Sequence, residues 1–274
     1  MRVLLPLTMI WMLFHPAVTM DAASAACRLF VTSVLPGLFP YMVLALMLVS
    51  RLSTRLPPMG LVLLGWCGGS PTGARLMRMY PGGRRARVHV AVSTATMSPM
   101  FLLGTIGGWL GSQWAGAVVL GSVILGGGLA GLLAGRLTRD GGMEAERKAP
   151  PVPLSFGEAV EQAAKTMLLG CGTMVMLRVL AALTTASVPW GALPLTTLLE
   201  VTTGAVEIAE LPLPLALRTA VIAGATGFGG AAVVMQNRAL YPPGLLSLPE
   251  QLLWQAAHGV ISFVLALGTM LLTT

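Results

Sequence analysis

Charge is what this chain lacks. Asp, Glu, Lys and Arg make up 10% of its 274 residues against 55% hydrophobic ones, and mean hydropathy is +0.81. A soluble domain carries about 25% charged residues, so an ordinary soluble domain is excluded. Acidic residues are scarcest: none lies between Asp21 and Asp140. Cys27, Cys67 and Cys171 are scattered without metal-binding or redox spacing and read as small packing residues. His15, His89 and His258 are isolated. His89 and His258 fall near expected helix starts, where an interfacial or packing role is the reading. No nucleophile elbow, zinc motif or Walker loop occurs. No catalytic residue, metal or cofactor is therefore expected.

What remains is a succession of apolar stretches, each near the roughly 20 residues that cross a bilayer. The 33 glycines and 19 prolines fall within them, too apolar a setting for disordered linkers. In membranes such residues sit where helices break or pack closely. The fold expected is an all-α polytopic membrane protein. Residues 1–20 read as an N-terminal transmembrane helix, against a cleavable signal peptide, because His15 and Pro16 already end the apolar run. An interfacial helix at 22–34 leads into a span at 36–52, bent at Pro36, Gly37 and Pro40. Residues 59–80 are apolar on both sides of Gly68–Gly73, and spans follow at 87–111 and 115–136. Residues 139–154 form a polar, proline-bearing linker. The second half offers a span at 166–185, an interrupted segment at 192–212, a broken span at 215–238 and a last span at 250–272.

The interruptions recur in register. Pro71-Thr72-Gly73-Ala74 returns as Thr202-Thr203-Gly204-Ala205, 131 positions later (73 to 204). Each copy is followed at the same distance by a second break, Ser98-Pro99 and Gly229-Gly230. Matching breaks in two hydrophobic halves point to a transporter-like site near mid-membrane. Arg51, Arg55, Arg75, Arg78, Arg84, Arg85 and Arg87 fall in the acid-free stretch. They share one face only if 59–80 is a re-entrant hairpin that leaves by the side it entered. Short loops rich in Arg stay in the cytoplasm, which places that face and the linker inside. Each half then contributes three crossings, so the halves are inverted repeats, each with a re-entrant hairpin and a broken helix. The net charge of +7 is thereby an orientation signal with some attraction to anionic lipid, and no nucleic-acid partner is expected.

Ionisable residues inside lipid are functional candidates. Glu200, just before the second tip, is the leading one. Arg178, inside the span 166–185, is its expected partner, either in a coupling role or in a structural ion pair that locks the hairpin. Glu207 and Glu210 are read as solvated or interfacial. A hydroxyl and amide set joins them: Ser70, Thr72 and Gly73 at the first tip, Thr94 and Ser98 at the first broken span, Thr202, Thr203 and Gly204 at the second tip, and Gln236 and Asn237 beyond the second break. Broken helices expose N–H groups at a positive dipole end suited to an anion. For any one Ser or Thr the competing reading is a back-bond to its own helix. Gly127, Gly131 and Gly135 form a small-residue packing face.

Val34-Leu35-Pro36-Gly37-Leu38-Phe39-Pro40-Tyr41, Gly69-Ser70-Pro71-Thr72-Gly73-Ala74, Ser98-Pro99-Met100-Phe101, Leu199-Glu200-Val201-Thr202-Thr203-Gly204 and Gly227-Phe228-Gly229-Gly230 resemble, in that order, the YlbJ-type sporulation integral membrane proteins. The resemblance runs over almost the whole chain. It implies two Gate-like "nucleoside recognition" repeats, 21–138 and 155–274, of the kind shared with concentrative nucleoside transporters, spore maturation proteins and ferrous-iron transporters. It further implies a forespore-associated membrane in a Gram-positive bacterium and transport of a small polar metabolite, a dipicolinate-like anion first. The Asn-Glu-rich nucleoside-transporter signature and the GTPase domain of iron transport are missing. Partners expected are the lipid bilayer, an anionic or nucleoside-like small molecule with proton or cation coupling, and further copies of the chain. The rival reading is a non-transporting scaffold of a sporulation complex.

Overall fold

A computed structural model describes residues 4–52, 57–77, 80, 82–139, 152–187 and 192–273. Arg55, Arg78 and most of the expected linker lie outside them. Every regular element among the described residues is helical.

The chain opens with α1 (Leu4–Phe14), which stops at His15 because Pro16 takes the first position of the next helix. α2 (Pro16–Leu29) runs through a π-helical turn, Phe30–Val34, into α3 (Leu35–Leu52), giving one 37-residue span. Here the structure departs from the expected layout. The 11 residues of α1 reach about 16 Å, half of a ~30 Å hydrocarbon core. The interfacial helix and the span after it are one element. Pro36 lacks the N–H that a regular ladder needs, and the wider π turn just before it absorbs that defect without breaking the helix.

α4 (Pro58–Gly68) and α5 (Thr72–Leu76) follow, then α6 (Arg84–Ser93). After an irregular stretch at 94–98, the chain turns helical at Pro99 and passes through a π-helical turn, Phe101–Ile106, into α7 (Gly107–Trp109). α8 (Gln113–Leu137) is a long span whose start is capped by Ser112. α9 (Phe156–Ser187) begins the second half, followed by α10 (Ala192–Leu199), α11 (Val201–Ala209), α12 (Leu215–Phe228), α13 (Gly230–Leu240) and α14 (Leu248–Thr273). Among the described residues, five helical segments are long and apolar enough to cross a membrane: Pro16–Leu52, Gln113–Leu137, Phe156–Ser187, Leu215–Leu240 and Leu248–Thr273. The order of elements over 58–137 returns over 192–273. α6 and α12 start 131 positions apart (84 and 215), the same offset as between Gly73 and Gly204.

α12 lies along α14, α14 along α8, α8 along α6, and α2 and α3 lie along α9. The glycine face of α8 makes the closest of these approaches. A Cβ on Gly131 would sit 2.7 Å from the His89 carbonyl oxygen, and one on Gly135 2.9 Å from His89 Cβ. Two large apolar cores and one small one result among the described residues. The first large core joins α3, α4, α5 and α6 to the start of α9 (Leu46, Leu61, Leu76, Val88, Ala163), the second joins the turn Phe101–Ile106, α11, α12 and the ends of α8 and α14 that meet them (Ile106, Val119, Ile208, Ile222, Met270), and the small one sets Ala22 of α2 against Val179 and Leu183 of α9.

Polar ties gather the arginine-bearing ends in one place. Leu154 N–H donates to Ser50 Oγ (3.0 Å), Arg75 donates to Gln162 Oε1 (2.8 Å), and Arg84 pairs with Glu250 (3.6 Å). These join the last turn of α3, α5 and the start of α6 to the starts of α9 and α14.

Candidate functional site

Two chain reversals meet at the seam between the cores. The first is set by Gly69, whose φ of 64° and ψ of −174° lie where essentially only glycine is found. That conformation lays the reversal against the irregular stretch after α6. Ser70 N–H donates to the Thr96 carbonyl (2.5 Å), and Ser70 Oγ donates to Asn237 Oδ1 on α13 (2.6 Å). Glycines clamp the same surface from both arms. A Cβ on Gly65 would come within 2.3 Å of Thr94 Cγ2, and one on Gly73 within 2.1 Å of Thr94 Oγ1.

The second reversal turns on Glu200. It is extended (φ −137°, ψ 98°) and caps α11 with its own carboxylate. Oε1 accepts from Thr202 N–H (2.9 Å), while Oε2 accepts from Thr203 N–H (2.7 Å) and Thr203 Oγ1 (2.7 Å). The side chain is 1% exposed. A helix N-terminus favours an anion, and here the chain supplies that anion itself. Gly204 brings the two arms together, since a Cβ there would lie 2.4 Å from Thr197 Oγ1. Gly230 (φ 69°) lets the break after α12 approach the Thr197 and Leu198 carbonyls.

The expected Arg178–Glu200 pair does not form. Arg178 Nη1 bonds Glu207 Oε1 at 3.4 Å instead. The cause is that Glu200 is held by the α11 backbone, whereas Glu207, two turns on, projects from α11 towards α9. Glu207 is therefore paired rather than simply solvated. Both side chains are partly exposed (21% and 37%), so a double-mutant cycle on Arg178→Ala and Glu207→Ala should return only about 0.2–1 kcal/mol of coupling in unfolding measurements. A coupling several times larger would make this pair the lock of the hairpin.

Between the reversals lies a cavity of about 40 Å³, room for about two or three waters. Ser70, Pro71, Met97 and Ser98 line it from the first half, and Glu200, Val201, Thr202 and Gln236 from the second. Phe30, Val34 and Leu38 on one helix face, and Met167, Gly170 and Met174 on another, close it with apolar surface. Five of the expected residues thus converge: Ser70, Ser98, Glu200, Thr202 and Gln236. Ser98 Oγ accepts from Phe101 N–H (3.2 Å) and caps the second part of the first broken helix, while Gln236 Nε2 donates to the Gly170 carbonyl (3.2 Å).

The other expected residues stand off the lining. Thr72 Oγ1 donates across the first reversal to Gly68 O at the end of α4 (3.2 Å), and Thr94 Oγ1 donates back to Val90 O of α6 (2.8 Å), so both hydroxyls are spent on nearby backbone. Thr203 is spent on Glu200, and Gly73 and Gly204 act through close packing. Asn237 sits behind the cavity, orienting Ser70. Arg178 does not line it, and neither does any other basic side chain among the described residues.

Sequence reasoning missed a second polar group on α14. Gln251, Gln255, His258 and Ser262 are all buried and follow one face at steps of four, three and four. His258 Nε2 donates to the Val123 carbonyl (2.8 Å), Gln251 Nε2 to the Val234 carbonyl (3.1 Å) and Ser262 Oγ to the His258 carbonyl (2.8 Å). His258 therefore lies well inside α14, not at a helix start. The signal was the helical spacing of polar residues in an otherwise apolar span. Met167 and Met174, seven apart around Gly170, carried a similar signal for the cavity wall.

No family model, curated protein or solved structure matches the chain.

Proposed function

We propose that the protein is an integral membrane transporter or permease component in which a small polar metabolite binds between the two chain reversals. The observation that carries this reading is the cavity at the seam of the two cores, with one hydroxyl-bearing reversal from each half and one broken helix beside each. Irregular backbone at membrane depth is tolerated where it lines such a cavity, and broken helices of matching position mark binding sites in transporters.

The same reading makes α4–α5 and α10–α11 re-entrant hairpins of two inverted repeats. α4 and α10 have 11 and 8 residues, about 16 and 12 Å, too short to cross a ~30 Å core. α4 and α5 belong to one apolar core and α11 to the other, which supports entry from opposite sides. The clustering of Arg51, Arg75 and Arg84 at one end supports a cytoplasmic face there. A bacterial cell membrane, forespore-associated, is the setting that the YlbJ-type resemblance suggests.

The wall chemistry bears on the substrate. Its carboxylate is Glu200 and no basic side chain among the described residues faces it, so a dicarboxylate such as dipicolinate needs an accompanying proton or cation, or the withdrawal of Glu200 from the lining. The cavity is also smaller than any ring-bearing metabolite, so this is a closed state and transport requires the reversals to part. That same closeness favours the second reading, a non-transporting scaffold in a sporulation complex. Purified protein in liposomes should take up labelled dipicolinate or a nucleoside in a way that depends on an imposed proton gradient. Absence of uptake for every polar metabolite tried, by protein shown to be folded, would leave the scaffold.

A further inference from the structure

The polar face of α14 borders a second enclosed space, lined by none of the residues around the cavity between the reversals. Its volume is about 10 Å³, room for about one water molecule. Gln251, Gln255 and His258 line it from α14, Tyr241 follows α13, and Val92 and Ala95 come from the end of α6 and the irregular stretch after it. The three α14 side chains are 3%, 3% and 1% exposed. Their spacing of four and then three sets them on one side of the helix. Met97 and Ser98, a few residues beyond Ala95, line the larger cavity, so the small space adjoins the first break.

Donated hydrogens are scarce around it. His258 Nε2 donates to the Val123 carbonyl (2.8 Å), so the neutral ring keeps a lone pair on Nδ1. Gln251 spends its Nε2 on the Val234 carbonyl (3.1 Å) and keeps Oε1 as an acceptor. His258 Nδ1, Gln251 Oε1 and both amide atoms of Gln255 are buried with no protein partner among the described residues. Tyr241 does not serve them, because its hydroxyl donates to the Ala91 carbonyl (3.1 Å). Nor does the break: Val92 and Ala95 bring apolar side chains, and the Ala95 N–H goes to the Val92 carbonyl (3.4 Å). Three acceptors and one amide NH2 therefore share a space of one water's size. Buried polar groups left bare are costly. A water molecule donates twice and accepts from the NH2, which makes the three bonds typical of a buried water. A metal cation fits this set poorly, since the NH2 group repels it and no carboxylate lines the space.

We propose that this space is a binding site for a single water molecule, which donates to His258 Nδ1 and a glutamine Oε1 and accepts from Gln255 Nε2. The water completes the contact of α14 with the end of α6 and so backs the first break. The site is independent of the transport reading.

Nitrogen NMR of the full-length protein in liposomes, labelled at histidine and with His15→Gln and His89→Gln assigning the other two signals, tests it. His258 should appear as the Nε2–H tautomer, with Nδ1 shifted as a hydrogen-bond acceptor and with magnetisation transferred to the ring from water. Gln255→Met is the clean perturbation, because Gln255 has no protein hydrogen bond to lose. It takes the water's donor away, so it should cut the transfer severalfold and lower the melting temperature by a few degrees. Three results overturn the proposal. Melting of Gln255→Met at or above the wild-type temperature means a dry space, where removing an unpaired amide is no loss. A doubly protonated His258 ring at neutral pH means that the space takes a proton. A shift of the His258 signal with sodium but not with choline means a cation site. If Gln255→Met fails to fold, the wild-type spectrum decides, and absence of transfer from water overturns the proposal.

Discussion

Glu200→Gln is expected to leave the protein inserted and folded but to lower flux per folded molecule by at least an order of magnitude. The carboxylate does two things at once: it accepts three hydrogen bonds from the first turn of α11 and it lines the cavity. Glutamine keeps one acceptor oxygen and turns an NH2 group towards N–H donors. One buried donor then loses its partner and the helix end loses its counter-charge, costing about 1–3 kcal/mol. Glu200→Asp separates the two duties. Aspartate is an efficient cap, so it should restore the melting temperature, but its shorter side chain withdraws from the cavity. If flux returns together with stability in Glu200→Asp, the carboxylate is a cap alone. If stability returns and flux does not, its place in the lining matters. Normal flux in Glu200→Gln removes Glu200 from the mechanism.

The frame of the molecule was legible where the backbone carries its own signal. Gly69 and Gly229 have positive φ, and Pro71 and Pro99 cannot continue a helix, so the breaks stood out by residue type and spacing. The convergence of Ser70 and Ser98 with Thr202 and Gln236 followed from the matched spacing of those breaks. Helix phase was not legible in the same way. Whether Arg178 meets Glu200 or Glu207 depends on how α9 rotates against α11, and no composition reveals that. Thr94 and Thr72 illustrate a second limit, because a hydroxyl can satisfy itself on nearby backbone, Thr94 by back-bonding to α6 and Thr72 by bonding across its own reversal. The start of the chain shows a third. Pro36 and Pro40 signal a bend, but a π turn absorbs it, and 16–52 becomes one helix where several elements were expected.

The two broken helices are built differently, and this bears on which reversal moves. The first break is clamped: Thr94 lies between Gly65 and Gly73, the Thr96 carbonyl is bonded by Ser70 N–H, and Ser98 caps the turn that begins at Phe101. The second passes through Gly229 and Gly230 with no side chain closing it, and its cap is glycine. The charge sits with the second, since Glu200 faces glycine at the matching position, 69 (69 to 200). A substrate or coupling proton that displaces Glu200 would loosen α11 directly, whereas the first reversal has no comparable trigger. On the proposed transport reading, the first half would be the fixed wall and the second the moving one.

That asymmetry makes Gly69→Ala the sharpest structural test, with a loss of roughly 3–5 kcal/mol expected. Two costs add. Alanine is strained at φ 64°, ψ −174°, and its Cβ would lie 2.4 Å from Ser98 N and 2.8 Å from the Met97 carbonyl carbon. Those are backbone atoms of the clamped break, not the ends of flexible side chains, so relief requires lifting the reversal and opening the Ser70–Thr96 hydrogen bond. Gly111 and Gly244 also have positive φ (65° and 77°), but nothing lies within 4 Å of a Cβ on either. Gly111→Ala and Gly244→Ala should therefore show only the conformational cost, about 1–2 kcal/mol. Thermal melts of the three variants in one detergent isolate the seating of the reversal on its broken helix. A Gly69→Ala protein that melts with the other two would mean that the first reversal is not held against the break. The fixed wall would then have to be sought in the second half.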